Sequence, residues 1–301
     1  MWNNTIFRLH FIVFLWGFTA ILGKLISADA ATLVFYRTGF AAIFLFLYFR
    51  FVKKQSIRIP QKRILQFLGV GVFIGFHWLL FFLSIKKSNV SITLSCMSLA
   101  TIFTSFIEPI FYKRKLDWLE VLLGFIIVCC MGVIFQTQFQ YMWGIFYGIL
   151  CAFLGSCFSV FNGKLYGKAS AGNIIFYEIV GSWLILSFFY ICTGQISEIV
   201  KINSQDLALV LLLASFFTAF PMYVSVELMK YISPFTLILT VNLEPVYGIV
   251  LAYFIFGQSE HMGSLFYIAA LVMLLAIIIN GIMKAKRRKT LAQNELKATK
   301  L

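Results

Sequence analysis

Runs of about 20 apolar residues follow one another along almost the whole chain, and only short charged segments separate them. With 61% hydrophobic and 12% charged residues among 301, the chain lacks the polar groups that a surface in water requires. Each run is long enough to cross a bilayer as a helix, and none alternates as a membrane strand would. The sequence therefore predicts an all-α polytopic membrane protein.

Ten of these runs are predicted to be transmembrane helices, with no soluble domain between them. They lie at 6–26, 30–52, 64–85, 88–112, 118–135, 142–163, 172–192, 206–229, 232–256 and 260–283. The first run also imitates a signal peptide, with Arg8 before it and Ala28-Asp29-Ala30 after it. We interpret it as a transmembrane helix, because it is long for a signal peptide and Lys24 interrupts its end.

Lysine and arginine collect on one side of the membrane in this arrangement. Twenty of the 25 lie at the N-terminus, in the even-numbered connections and in the tail, while three lie in odd-numbered connections. The positive-inside rule then predicts a protein of the cell inner (plasma) membrane with both termini in the cytoplasm. The net charge of +14 is explained by this anchoring, so no nucleic-acid partner is expected.

Cysteine and histidine show no spacing that points to a cofactor. The six cysteines all lie in apolar runs, without a CxxC or Cys/His pattern, and the three histidines are far apart. No nucleotide-binding loop is found, so ATP is not expected as the direct driving force. We expect no cofactor, no metal site and no enzymatic activity.

The two halves of the chain resemble each other at an offset of 140 to 144 residues. The segment from Trp16 to Lys24 corresponds to 156–164, and Phe35-Tyr36-Arg37 corresponds to Phe176-Tyr177-Glu178. Five spans per half is an odd number, so the second copy must enter the membrane from the opposite side. Inverted repeats of this kind are typical of secondary transporters, with duplication without transport as the alternative.

Four segments carry a resemblance to a known family. They are Phe14-Leu15-Trp16-Gly17 with Lys24, Phe35-Tyr36-Arg37-Thr38 with Ala41, residues 84–91, and Ile232-Ser233-Pro234 followed by Glu244-Pro245 and Phe256-Gly257. In order and spacing they resemble the EamA-type family of the drug/metabolite transporter superfamily, over essentially the whole chain. The resemblance implies ten helices in two EamA repeats, and the transport, often the export, of amino acids or other small metabolites.

The expected domains follow from this resemblance. Residues 1–136 form the first EamA-like repeat with spans 1–5, residues 137–283 form the second with spans 6–10, and residues 284–301 are a basic cytoplasmic tail. One departure concerns the end of span nine, where the family commonly carries a Gly-Glu pair and this chain has Gly257-Gln258. We therefore expect no carboxylate at that boundary.

Glu244 is the first candidate for a functional residue. Ionisable groups within a bilayer are costly and normally face a cavity or a partner, and Glu244 and Trp16 are predicted near the midplane. Pro245 removes a backbone donor beside it, and Asn242 could add a hydrogen-bonding group. Glu244 is interpreted as binding a substrate amine or carrying a coupling proton, with a structural hydrogen bond between helices as the alternative.

Arg37 and Glu178 form a second set of candidates. A guanidinium suits a carboxylate, so the two residues could hold the two charges of a zwitterion such as an amino acid. Arg37 is predicted toward the outer third of the membrane and Glu178 toward the inner third, about 10 Å apart in depth, so no direct ion pair is expected. Stabilisation of the helix bundle is the alternative.

His77 and Trp16 complete the candidate site. His77, beside Trp78, is interpreted as lining a cavity or relaying protons, with a satisfied interhelical hydrogen bond as the alternative. Trp16-Gly17 is expected to combine an aromatic wall with close helix packing.

Two GxxxG spacings, at residues 71–75 and 144–148, favour packing inside one bundle over dimerisation. We therefore expect a monomer or a weak homodimer in the lipid bilayer.

The leading hypothesis is a secondary transporter, expected to export a small-molecule substrate by alternating access around a midplane cavity, with proton coupling left open. A flippase of a lipid-linked molecule is the alternative within transport, and it would favour a lateral opening toward lipid. A receptor or an intramembrane enzyme is less favoured, because no clustered catalytic residues are found.

Overall fold

The computed structural model describes residues 4–113, 115–199, 201–228, 230–232, 240–241 and 243–298, and within them the protein is helical without any strand. Its helices are α1 (Thr5–Leu25), α2 (Ala30–Leu47), α3 (Gln61–Lys87), α4 (Val90–Met97), α5 (Ala100–Tyr112), α6 (Trp118–Thr137), α7 (Met142–Leu165), α8 (Ala171–Thr193), α9 (Ile196–Ile199), α10 (Ser204–Ala214), α11 (Phe220–Leu228), α12 (Glu244–Phe256) and α13 (Ser264–Ala298). Two π-helical turns, Tyr48–Val52 and Ser215–Ala219, extend α2 and join α10 to α11, and short 3₁₀ turns precede α7 and follow α12.

Nine stretches of the described chain are long and apolar enough to cross a membrane. Six of them contain α1, α3, α6, α7, α8 and α13, and three are composite: α2 with its π turn, α4 with α5, and α10 with α11. The protein is therefore a multi-pass membrane protein. The predicted span 232–256 lies partly outside the described residues, which include its second part as α12, a helix of 13 residues.

Side-chain caps explain where many helices begin. A short polar side chain just before a helix accepts a hydrogen bond from a first-turn N–H group that has no partner within the helix. Six helices use this device, with Asn4, Asp29, Asn89, Asp117, Ser170 and Asn203 as the capping residues. These caps place the helix starts in the short polar connections that the sequence shows.

The span predicted at 88–112 is interrupted near its middle, contrary to the expectation of one helix. The N–H groups of Ser98 and Leu99 bond to carbonyls three residues earlier, at 3.1 and 3.0 Å, which separates α4 from α5. Leu243 makes the same type of bond, at 3.0 Å, just before α12. At an offset of 144 residues, Leu99 and Leu243 correspond, so the two halves share this type of bond just before equivalent helices.

The π-helical turn Ser215–Ala219 has a local cause in the sequence. Pro221 has no N–H group, so it cannot bond to the carbonyl of Phe217 as an α-helix would require. The N–H of Phe220 instead bonds to the carbonyl of Ser215, five residues earlier. Turns of this kind often lie at functional sites, and this one contains Thr218.

The helix pairings are related by exchange of the two halves. α3 packs against α7 and α8, and correspondingly the segment α10–α11 packs against α1 and α2. α7 packs against α4 and α5, and α1 packs against α12. The pairs α2–α8, α4–α12 and α6–α13 each join equivalent spans of the two halves.

Glycines permit the closest helix crossings. A methyl group at Gly71 would overlap the carbonyl oxygen of Glu178, so α3 and α8 touch there through their backbones. In the other GxxxG spacing, a methyl group at Gly144 would overlap Ser88, and one at Gly148 would lie 2.7 Å from Cys96. Both spacings therefore serve packing within this bundle.

Candidate functional site

Arg37 is held deep in the bundle by contacts from two other spans. It lies on α2 and is only 2% exposed. Its Nε donates a hydrogen bond of 2.8 Å to Thr218 Oγ1, in the π-helical turn. Its guanidinium lies over the ring of Trp78, with 4.1 Å from Cζ to the ring centroid. A cation over an indole is attracted by the negative face of the ring, so Trp78 partly replaces the hydration that Arg37 loses.

The guanidinium of Arg37 keeps unused hydrogen-bonding capacity. Its Nη1 is buried and has no hydrogen-bond partner among the described residues. Glu244 lies within electrostatic range of Arg37, but no direct ion pair joins these two residues. The two residues can therefore carry opposite charges that influence each other without a direct ion pair.

Glu244 lies where α12 begins, directly before Pro245. The first turn of a helix carries a partial positive charge, which favours a carboxylate there. Glu244 is partly exposed, and it is within electrostatic range of Cys151 as well as of Arg37. Asn242, the other residue predicted beside it, lies outside the described residues.

His77 joins α3 to α7. Its Nδ1 lies 2.8 Å from the backbone oxygen of Cys151 and 3.2 Å from the Sγ of the same residue. A carbonyl oxygen only accepts, so the proton of the ring belongs on Nδ1. The ring is thus a satisfied interhelical donor, as the structural alternative predicted, while its neighbour Trp78 contacts Arg37.

Glu178 lies apart from Arg37. It is on α8, is 1% exposed, and its Oε2 accepts a hydrogen bond of 3.3 Å from Nδ2 of Asn162 on α7. Both Arg37 and Glu178 are described, and no direct ion pair joins them, as their predicted depths imply.

Trp16 contacts a different part of the bundle from Arg37. It packs on an apolar cluster from α1, α11 and α12 that includes Tyr223 and Tyr247. At Gly17, a methyl group would lie 3.0 Å from Cβ of Tyr247 and 3.3 Å from the backbone nitrogen of Gly248. Trp16-Gly17 therefore fixes the crossing of α1 with α12 at Tyr247, which lies three residues after Glu244 in the chain.

A model of the EamA-like transporter family matches residues 5–136 and 142–282. The chain belongs to this family. EamA-like transporters are part of the drug/metabolite transporter superfamily, so the resemblance in the sequence motifs is confirmed. Membership points to a membrane transporter rather than to an enzyme.

Two further comparisons concern a curated relative and a solved structure. The uncharacterized transporter YxxF of Bacillus subtilis (strain 168) is 25% identical over 173 residues, which cover 55% of this chain and 54% of that protein. The chain thus matches about half the length of this curated relative. A crystal structure of a protein that is 14% identical shares the fold, with a TM-score of 0.62 over 93% of this chain and 95% of the other.

The boundary after α12 does carry a carboxylate in this EamA-like transporter, so the expectation from Gly257-Gln258 was wrong. Glu260 is fully buried, and its oxygens accept hydrogen bonds from the N–H of Val90 at 3.0 Å and of Ser91 at 2.9 Å. Lys24 lies 2.7 Å from the same carboxylate. The 3₁₀ turn Gly257–Glu260 carries the acidic group to this place from three residues beyond Gly257.

Thr218 and Cys151 are site residues that the sequence did not reveal. Thr218 lies three residues before Pro221 in an apolar run, and a proline within a predicted helix was the available signal. Cys151 contributes through its backbone carbonyl, and every residue type has such a carbonyl, so the sequence cannot indicate this contact. Both contacts depend on which helix faces which neighbour in the folded EamA-like bundle.

Proposed function

We propose that this protein is a secondary transporter of small metabolites such as amino acids, and that it binds them between Arg37 and Glu244. The observation that carries the proposal is the buried guanidinium of Arg37, whose Nη1 has no hydrogen-bond partner among the described residues, with Glu244 within electrostatic range. A zwitterion presents the complementary charges, a carboxylate for Arg37 and an ammonium for Glu244. Its binding would replace water at both groups in a medium where paired charges are strongly favoured.

The contacts of Arg37 support its role toward a carboxylate. Thr218 and Trp78 fix the guanidinium through Nε and through its face, and both contacts leave Nη1 available. A guanidinium of fixed orientation recognises a carboxylate with defined geometry, which a flexible lysine does not. The side chain of Arg37 is thus ordered before the substrate binds, which lowers the entropy cost of binding.

The remaining candidates take supporting roles in this proposal. His77 holds α3 against α7 beside Trp78, and Trp16 sets the crossing that positions the start of α12. Asn242 is proposed as a hydrogen-bonding group for the substrate, next to Glu244 in the sequence.

The architecture is proposed to comprise ten transmembrane helices in two inverted five-helix repeats, with residues 1–136, 137–283 and 284–301 as the two repeats and the tail. Two observations support it: the helix pairings map onto one another when the halves are exchanged, and the corresponding residues Leu99 and Leu243 make the same type of backbone bond just before equivalent helices. Interrupted helices at corresponding positions commonly mark the substrate site of a transporter.

The orientation is proposed to be that of a cell inner-membrane protein with both termini in the cytoplasm. The distribution of lysine and arginine supports it. Both GxxxG spacings are used within the bundle, which supports a monomer or a weak homodimer over an obligate glycine-mediated dimer. The proposed mechanism is alternating access, and the proposed direction of transport is export.

Purified protein in liposomes tests the substrate class. Counterflow of radiolabelled amino acids is compared with counterflow of monocarboxylates and of amines without a carboxylate. Arg37→Gln is expected to weaken transport of zwitterions and anions more than that of amines, and Glu244→Gln is expected to abolish or uncouple transport while the protein stays folded.

Equal effects of Arg37→Gln on all charge classes would remove Arg37 from substrate binding. Unchanged flux in Glu244→Gln would remove Glu244 from the mechanism. Gly69→Ala is a suitable control, because a Cβ at that surface position meets no described atom within 4 Å.

A flippase is the second candidate function, and a lateral groove supports it. A groove of about 130 Å³ is lined by residues of α4, α12 and α13 and by Ser98, and two of its lining residues, Val250 and Leu271, are exposed. Transfer of a fluorescent lipid analogue between leaflets of the same liposomes, together with absent amino-acid counterflow, would favour the flippase.

A further inference from the structure

The carboxyl group of Glu178 is buried with little to stabilise a charge. Glu178 is 1% exposed, and Oε2 has one hydrogen-bond donor, Nδ2 of Asn162, at 3.3 Å. Oε1 has no hydrogen-bond partner among the described residues. An ionised carboxylate in a dry interior normally collects several donors or a cation, because its hydration is worth far more than one amide can replace.

Several charged and titratable groups on the elements around Glu178 have other partners. Its helix α8 packs against α2, α3 and α11, and α7 reaches it through Asn162. Two lysines lie over aromatic rings, Lys164 over Phe111 and Lys53 over Tyr48. Glu227 pairs with Arg8, and Arg63 donates a hydrogen bond to Gln66. His77 contacts Cys151, and Tyr177 donates a hydrogen bond to the carbonyl of Ile57. Arg37 is held by Thr218 and Trp78.

The side-chain amide of Asn162 also has an oxygen that lacks a hydrogen-bond donor in the described part of the chain. Oδ1 of Asn162 is buried and also has no hydrogen-bond partner among the described residues. An amide facing a protonated carboxyl can donate through its nitrogen and accept through its oxygen at once. A single proton on Oε1 of Glu178 would therefore offer a donor to Oδ1 of Asn162 and remove the buried charge.

The backbone of Glu178 is fixed, so the carboxyl cannot easily move to a distant cation. Gly71 of α3 lies directly against the carbonyl of Glu178, and Ser182 Oγ bonds to the carbonyl of Gly71 at 2.7 Å. The two helices are thus joined at the turn that carries the carboxyl. Separation of this crossing would open the buried Glu178 to water, and it is the type of movement that alternating access involves.

We propose that Glu178, with Asn162, is a proton-binding site separate from the substrate site, and that it couples transport to a proton gradient. A carboxylate oxygen of Glu178 takes a proton from water in one state in which α3 and α8 are separated, holds it while they are packed, and returns it to water in a second separated state that opens to the other side of the membrane. No electron is transferred. The coupling role rests on the proposed transport function, but the protonation can be measured without any substrate.

Infrared spectroscopy of the purified full-length protein tests the protonation. The wild type at neutral pH should show a carbonyl band of a protonated carboxylic acid that is missing in Glu178→Gln. In Asn162→Ala the band should move to higher frequency, because the carbonyl loses its hydrogen bond. Glu227→Gln is the matched control, since that carboxylate is paired with Arg8, and the band should persist. A wild-type spectrum without this band overturns the proposal.

Thermal unfolding gives a second readout that needs no substrate. The folded wild type would hold a proton that an unfolded glutamate, with an ordinary pKa of about 4.3, releases at neutral pH, so its stability should fall as pH rises. Glu178→Gln should flatten this dependence, whereas Glu227→Gln should keep it. A slope that is equal in wild type and Glu178→Gln, or one that follows sodium rather than pH, counts against a proton site.

Transport in liposomes separates failure of the coupling from failure of the function. With amino acids as the probe, Glu178→Gln should retain counterflow but lose stimulation by a pH gradient, so that the ratio of rates with and without the gradient falls to one. Counterflow absent in the wild type contradicts the proposed function. Counterflow present, with equal gradient stimulation in wild type and Glu178→Gln, contradicts only the coupling role.

Discussion

The ammonium of Lys24 lies 2.7 Å from a carboxylate oxygen of Glu260, although 236 positions separate the two residues in the chain. The same carboxylate accepts hydrogen bonds from the backbone of Val90 and Ser91, at the start of α4. This contact joins α1, α4 and the segment between α12 and α13 at one end of the bundle. Its two members are not equivalent, because Glu260 is fully buried and Lys24 is partly exposed.

We expect Glu260→Gln to destabilise the protein more than Lys24→Met. The amide nitrogen of glutamine would face backbone donors of Val90 or Ser91, and Lys24 would lose its counter-charge. Loss of a buried acceptor that leaves backbone donors unpaired costs about 1–3 kcal/mol. In Lys24→Met the carboxylate keeps its hydrogen bonds from α4. Thermal unfolding in detergent measures the order, and a larger loss for Lys24→Met would contradict it.

Gly71→Ala is expected to weaken the crossing of α3 with α8. The added methyl group would overlap the carbonyl oxygen of Glu178, and overpacking of this kind costs about 1–3 kcal/mol. Gly69→Ala is the matched control on the same helix, where no described atom lies within 4 Å of the added group. Equal melting temperatures for the two variants would show that α3 and α8 are not in contact as described.

Thr218→Val is expected to lower substrate affinity with little change in fold. The isosteric substitution removes the oxygen that accepts the hydrogen bond from Arg37 Nε and leaves that donor unsatisfied. A loss of about tenfold in apparent affinity for carboxylate substrates, or ~1.4 kcal/mol, is expected. Thr218→Ser keeps the acceptor and should retain most of the affinity, as measured by concentration dependence of counterflow. Equal losses in both variants would point to packing instead.

Cysteine labelling tests the orientation. Replacement of the exposed Cys129 and Cys192 leaves four buried cysteines in place as a background of low reactivity. In intact cells, an impermeant maleimide should label a cysteine introduced at Gln195 and should reach one at Ser56 only after the membrane is opened. Both positions are exposed in the structure. The reverse pattern would invert the proposed topology.

The course of the chain through the membrane is largely predictable from its sequence, because a bilayer leaves few choices to an apolar run of this length. The second span was predicted at 30–52 and is observed as Ala30–Val52. The sixth was predicted at 142–163 and is observed as Phe139–Leu165.

The interruption at Ser98–Leu99 was not predictable in the same way. Neither a proline nor a glycine marks it, so the helix changes its hydrogen bonding there in response to its packing. The pairing of Arg37 with Thr218 was also hidden, because it depends on which faces of α2 and the π-helical turn meet across 181 residues. Burial of Arg37 was implied by its place in a span, but its partners were not.

The π-helical turn Ser215–Ala219 holds one residue more than an α-helical turn would. Removal of that residue would rotate the segments on either side of it by about 100° relative to each other. Thr218 contacts Arg37 within this turn, and Glu227 contacts Arg8 beyond it, 2.6 Å apart. Both contacts can form together only while the extra residue is accommodated between them. A shift of this π-helical bulge along the span would rotate the segment that contacts Arg8 relative to the segment that contacts Arg37. A change inside the membrane would thereby reach the end of α1 without any change in the length of the chain.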